Sequence, residues 1–132
     1  MTERENMLSG LLYDPSDPEL SRQRDMARNL ATAFNRTTEE EKEIRQKILK
    51  QLLGSLGEWT ELYPNVQFDY GCNTYLGNRC YVNFNSTFLD CAEIRLGDDV
   101  FVGPNVSFLT PIHPLLAAPA LRDVEDDQSP VD

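Results

Sequence analysis

The chain has 132 residues, 40% of them hydrophobic and 26% charged, which is the usage of a single globular domain and not of a disordered chain. Its formal net charge of −10, from 12 Lys and Arg against 22 Asp and Glu, argues against nucleic acid and anionic membrane as partners, because nothing would neutralise phosphates in bulk. No apolar run approaches the roughly 18 residues of a membrane span and no secretory leader is legible, so a cytoplasmic protein is expected.

Residues 1–60 read as helical. A short helix is expected from Glu5 to Leu12. Asp17-Pro18 marks the next start, with Asp17 capping free amides and Pro18 losing only an orphan donor. Leu20, Ala27, Leu30, Ala31 and Phe34 then fall on one face. Asn35 and Thr37-Thr38 separate this helix from another, with Thr38 and Glu41 spaced as a capping box. Ile44, Ile48, Leu52 and Leu56 recur every four residues, and Gly54 and Gly57 close the helix.

From Tyr63 the helical period is lost. Every sixth residue from Leu76 is apolar: Leu76, Val82, Phe88, Ile94, Val100, Val106 and Ile112. The residues two earlier, Thr74, Cys80, Ser86 and Ala92, are small. After Ile94 the heavier residue shifts by two, to Leu96, Val102 and Phe108, as a small insertion would produce. A period of six means short strands joined by tight turns, three to a triangular coil. The expected fold is α+β: an N-terminal helical segment over 1–60, then a short left-handed parallel β-helix over 61–114. About two coils are legible between 76 and 112, with a possible partial coil before them. Residues 115–132 lose the pattern, crowd acidic residues and are expected to form a disordered tail. Cys72, Cys80 and Cys91 are odd in number with no C-x-x-C, which predicts free thiols. With the single His113 they match no familiar zinc spacing, so no metal is expected.

Met7-Leu8-Ser9-Gly10-Leu11-Leu12-Tyr13, followed by Asp17-Pro18-Glu19-Leu20, resembles the opening of the maltose/galactoside O-acetyltransferases. Phe34-Asn35, Asp69-Tyr70-Gly71-Cys72-Asn73, Tyr81-Val82-Asn83-Phe84-Asn85, Leu89-Asp90-Cys91 and Gly103-Pro104-Asn105-Val106 continue the likeness. Thr110-Pro111-Ile112-His113-Pro114 resembles the segment holding that family's catalytic histidine, so the match covers about residues 5–115. The resemblance implies transfer of an acetyl group from acetyl-CoA to a sugar hydroxyl. It implies a homotrimer, with each active site between neighbouring β-helices. It makes His113 the general base, a role suited to an imidazole with an unperturbed pKa near 6.5. It places Asn83 where the sugar is held near that base, and Asp69 and Tyr81 in the acceptor pocket. Arg24 matches a sugar-contacting arginine, and Asp17 lies near a sugar-contacting acid.

Each of these residues has a plainer alternative. On residue type alone a histidine such as His113 is more often a loop residue than a base, Asn83 and Asn85 read as turn residues, Asp17 as a helix cap and Arg24 as a solvated charge. Cys91 stands where some relatives place an acid that binds the acceptor, which leaves the acceptor open. The family's histidine segment is followed by further coils that supply the pantetheine groove, the oxyanion amide and the basic groups for CoA. Residues 96–132 instead hold one basic residue, Arg122, against seven acidic ones. Two other readings therefore stand beside the enzyme: a truncated inactive remnant, and a non-catalytic sugar- or protein-binding module.

Overall fold

A computed structural model describes residues 1–111. Helices α1 (Glu3–Leu8), α2 (Pro18–Asn35) and α3 (Lys42–Leu52) come first. Strands β1 (Ser55–Leu56), β2 (Glu61–Leu62), β3 (Val66–Phe68), β4 (Thr74–Leu76), β5 (Tyr81–Val82), β6 (Ser86–Leu89), β7 (Ile94–Leu96), β8 (Phe101–Val102) and β9 (Ser107–Leu109) follow. His113 and the acidic segment 115–132 lie outside the described residues.

Helix α2 begins as the sequence dictates. The Asp17 carboxylate accepts from the Glu19 and Leu20 amides, Pro18 takes the first helical position, and Leu20, Ala27, Ala31 and Phe34 are buried. The other two helices differ from expectation. The capping box belongs to α1, where Thr2 and Glu5 satisfy each other's backbone, and the chain leaves this helix through Gly10 at φ 77°. The helix therefore ends at Leu8, not Leu12. Thr38 and Glu41 form a turn: the Glu41 carboxylate accepts from the Thr38 amide at 2.8 Å, and the Glu41 amide bonds the Thr38 carbonyl. Helix α3 starts one residue later. Its buried stripe is Arg45, Leu49 and Leu52, while Ile44 stands exposed. Leu56 continues the four-residue spacing only by coincidence, because it is the first inward residue of the β-helix.

The strands stack in three parallel sheets, β1-β4-β7, β2-β5-β8 and β3-β6-β9. Every pairing joins residues 20 apart, such as Leu56 with Leu76 and Phe88 with Phe108. This is the architecture of left-handed β-helices. The described residues make three coils, the first opening at Ser55, six residues before the boundary expected at 61. Three inward columns run through the coils: Leu56-Leu76-Leu96, Leu62-Val82-Val102 and Phe68-Phe88-Phe108. The phenylalanine rings stack at 4.9 and 4.8 Å. Spacing within a coil is six, as the periodicity predicts. The shift by two recurs at the same corner, after β3 and after β6, so it is a regular part of a 20-residue coil.

The helical segment closes the open edge of the first coil. Ala27, Ala31, Phe34, Leu49 and Leu52 continue the core formed by Leu62, Val66 and Phe68. The Asn35 side chain imitates a strand. Its amide nitrogen donates to the Val66 carbonyl at 2.9 Å, and its oxygen accepts from the Val66 amide at 2.8 Å. A sheet edge that would otherwise recruit another chain is thereby satisfied. Arg45, buried beneath this junction, donates to Thr37 Oγ1 at 2.7 Å and pairs with Glu39 at 2.9 Å. Among the described residues no helix is long and apolar enough to cross a membrane.

Candidate functional site

The corner that carries the two extra residues also carries most of the polar side chains singled out above. Residues 69–73 leave β3, and residues 90–93 leave β6 one coil further on. Asp90 ties the two levels together. Its carboxylate, fully buried, accepts from the Tyr70 amide at 2.8 Å, the Asn73 amide at 3.3 Å and Thr74 Oγ1 at 3.0 Å. The Asn73 side chain donates back to the Asp90 carbonyl at 2.9 Å. Burial pushes the Asp90 carboxyl above its ordinary range, and these donors hold the rise in check. Gly71 sits at φ 73°, and a Cβ there would meet the Leu52 side chain at 2.4 Å. Only glycine lets α3 rest on this corner.

Around this anchor, α2 and the loop before it converge on the corner. Arg24 and Arg28, four residues apart, share a helix face. Arg24 Nη1 donates to the Tyr70 hydroxyl at 2.9 Å, and Arg28 Nη2 meets Asp69 Oδ1 at 3.4 Å. Arg28 is largely exposed, so the second pair contributes little to stability. The Cys91 thiol donates to Asp69 Oδ2 at 3.5 Å and accepts from the Tyr13 hydroxyl at 3.6 Å. Burial and the Asp69 carboxylate, opposed by the Tyr13 bond, leave the thiol pushed up to about 11. Tyr13 is also raised, chiefly by burial and then by its bond to Cys91. The corner thus gathers two carboxyl groups, two guanidinium groups, two phenols and a neutral thiol.

Of the residues read from the sequence, the structure brings Arg24 and Asp69 to this corner. Asp17 serves as the α2 cap. Tyr81 and Asn83 lie elsewhere, Tyr81 in β5 and Asn83 at the corner between β5 and β6, a corner one strand away from that of Asp69. Tyr81 stands in an aromatic row with Tyr63 at 5.3 Å and Phe101 at 6.0 Å. The Asn83 side-chain oxygen accepts from the Phe84 amide at 2.8 Å, while Asn85 takes the left-handed turn conformation at φ 62°. One chain therefore does not assemble the whole predicted set. His113 lies outside the described residues. Tyr13, Arg28, Tyr70 and Asp90 were missed as site residues. The 20-residue spacing of Tyr70 and Asp90, and the four-residue spacing of Arg24 and Arg28, were the signals available. Among the described residues no group of three or more His, Cys, Asp or Glu side chains could hold a metal ion.

Residues 6–57 match the maltose acetyltransferase hexapeptide capping motif. A Dictyostelium discoideum protein that bears the name of an acetyltransferase is 44% identical over 115 residues, covering 87% of this chain and 60% of the relative. The structure resembles a maltose O-acetyltransferase from Clostridium difficile with a TM-score of 0.86 and 41% identity, over 89% of this chain and 63% of that one. It resembles a galactoside acetyltransferase in complex with coenzyme A with a TM-score of 0.85 and 29% identity, over 93% of this chain and 61% of that one. The chain spans about three fifths of the length of these relatives.

Proposed function

Over these residues the chain belongs to the maltose/galactoside O-acetyltransferase family of hexapeptide-repeat proteins, and from that premise we propose that it takes part in acetyl-CoA-dependent O-acetylation of a sugar hydroxyl. The observation that carries the reading is the corner where Asp69, Arg24, Tyr70 and Cys91 meet beneath the helical cap. A carboxylate beside two guanidinium groups suits a polyol, whose hydroxyls donate to the first and accept from the second.

In this reading His113 is the base. Its imidazole takes the acceptor hydroxyl proton as the oxygen attacks the thioester carbonyl of acetyl-CoA. The C–S bond breaks, the sugar ester forms, and CoA leaves as the thiol after taking up a proton. Asn83 and Tyr81 complete the pocket from a second copy of the chain. Their separation from Asp69 within one chain supports a homotrimer whose sites lie between neighbours. The apolar surface around Tyr81 supports it too, since Phe84 and Phe101, which join the aromatic row of Tyr63 and Tyr81, are exposed in the single chain.

The test is mass detection of acetylated maltose or galactoside after incubation with acetyl-CoA. Acetyl transfer above the protein-free blank, lost in His113→Ala, is the expected result. Transfer equal to the blank overturns the reading, and sugar binding without turnover would make the chain a sugar-binding module.

A further inference from the structure

Tyr63, Asn83 and Gly103 occupy one position in successive coils, because the register of β2 on β5 and of β5 on β8 continues past the strands. The Tyr63 amide donates to the Val82 carbonyl at 3.1 Å, and the Asn83 amide donates to the Val102 carbonyl at 3.0 Å. At Gly103 a Cβ would meet nothing within 4 Å among the described residues. Asn83 thus has an aromatic residue at the level below and an uncrowded glycine at the level above. Its side-chain oxygen is taken by the Phe84 amide, which leaves the carboxamide NH2 as the donor it can offer a ligand.

Tyr63 does more than occupy the level below. Its ring lies 5.3 Å from the ring of Tyr81, tilted by 50°, and 5.8 Å from the ring of Phe84, edge to face at 71°. Tyr81 and Phe84 stand on either side of Asn83 in the chain, so one ring braces the turn before and after it. On the inner side the same turn is fixed by Val82, fully buried in its column. Tyr63 is only half-buried and belongs to none of the inward columns, so its packing serves the turn rather than the core.

Tyr63 is held in its turn. Its hydroxyl donates to Glu61 Oε2 at 3.4 Å, and the Arg45 guanidinium lies over its ring, with Cζ 5.9 Å from the centroid. Arg45 has little freedom, being buried and bonded to Thr37 and Glu39. The helical segment therefore reaches the Asn83 turn through Arg45 and Tyr63, as it reaches the other corner through Arg24 and Tyr70.

We infer that Tyr63 is a positioning residue for the Tyr81 and Asn83 side of the acceptor site, acting through Asn83 by bracing the rings on both sides of it, with Arg45 as its support. The inference rests on the acceptor reading given above and adds to it a residue that touches no reacting atom.

Steady-state transfer from acetyl-CoA to maltose by the full chain tests this. Tyr63→Leu and Tyr63→Met remove the planar ring, and Tyr63→Phe keeps it. Removing the ring should raise KM for maltose by about tenfold, the factor that one or two aromatic pairs correspond to, with KM for acetyl-CoA unchanged. Tyr63→Phe should keep the parental KM for maltose. A residue that only stabilised the fold would lower the active fraction, and so kcat, while leaving both KM values in place. An unchanged KM for maltose in the Leu and Met variants overturns the inference and leaves the acceptor reading standing. So does equal damage by Tyr63→Phe, because the hydroxyl on Glu61 would then matter and not the ring. If one ring-less variant is unfolded by circular dichroism the other decides, and failure of both to fold overturns the inference by making Tyr63 a core residue. Absence of transfer by the unaltered chain overturns the acceptor reading itself, and this inference with it.

Discussion

Asp90→Asn tests whether one buried carboxylate holds the corner together. The carboxylate accepts three donors between 2.8 and 3.3 Å from Tyr70, Asn73 and Thr74. An amide keeps one acceptor oxygen and turns an NH2 toward groups that also donate. At least one bond is lost and one buried donor is left unpaired, which should cost about 2–4 kcal/mol at pH 7. The pH dependence carries a second, independent sign. The native pKa of Asp90 is raised above its unfolded value, chiefly by burial. The folded state then holds the proton more tightly, so the contribution of Asp90 to stability is greatest below its unfolded pKa. It declines as pH rises through the raised native value. The asparagine variant has no such term. Urea unfolding of both proteins, followed by circular dichroism at pH 4 and pH 7, should show a larger gap at pH 4, with other carboxylates cancelling in the difference. A gap below about 0.5 kcal/mol at pH 7, or one that widens as pH rises, would refute the account.

Asn35→Ala removes both bonds to Val66 and exposes the edge of the first coil, so a loss of about 2–3 kcal/mol in urea unfolding is expected, together with concentration-dependent association by light scattering. Phe88→Ala opens a hole between Phe68 and Phe108 and should destabilise by about 3–5 kcal/mol in the same assay, whereas Phe88→Leu should cost clearly less. Cys91 should resist iodoacetamide at pH 8.5 and label, by peptide mass mapping, only toward pH 11; burial comes first among the causes and is unchanged in Asp69→Asn, but loss of the neighbouring negative charge should bring the midpoint down. Ready labelling of Cys91 at pH 8.5 would remove the neutral thiol from the picture of the corner.

Much of the fold was legible because its periods are strong. The six-residue spacing from Leu76 through Phe88 is the inward row of one coil, and Asp17-Pro18 announces α2 without help from tertiary structure. The errors arise where two periods coincide or where a pair can bond in two ways. Leu56 satisfies both the helical stripe of α3 and the inward position of β1, and packing under Leu76 decides between them. Thr38 and Glu41 have the spacing of a capping box, yet the Glu41 amide takes the Thr38 carbonyl instead of its hydroxyl. Arg45 was unreadable, since an arginine on a helix stripe is apolar in position only when partners such as Thr37 and Glu39 wait beneath it.

The site was hardest to read at the point where the repeat breaks. Between Phe68 and Leu76, and again between Phe88 and Leu96, the inward spacing is eight instead of six. As sequence this looks like an irregularity in an otherwise regular pattern. As structure it gives one corner of the triangle enough backbone to carry Asp69, Tyr70, Asp90 and Cys91 away from the aliphatic columns. Strand residues in such a coil alternate between core and solvent and have little freedom to gather around a ligand. The corner does, and Asp90 shows what it requires: a buried carboxyl group, bonded to Tyr70, Asn73 and Thr74, that fixes loop residues as firmly as a strand would. Local departure from the repeat and concentration of polar chemistry are therefore one feature of this chain, and Arg24 and Tyr13 reach it only because the helical segment is folded back over that corner.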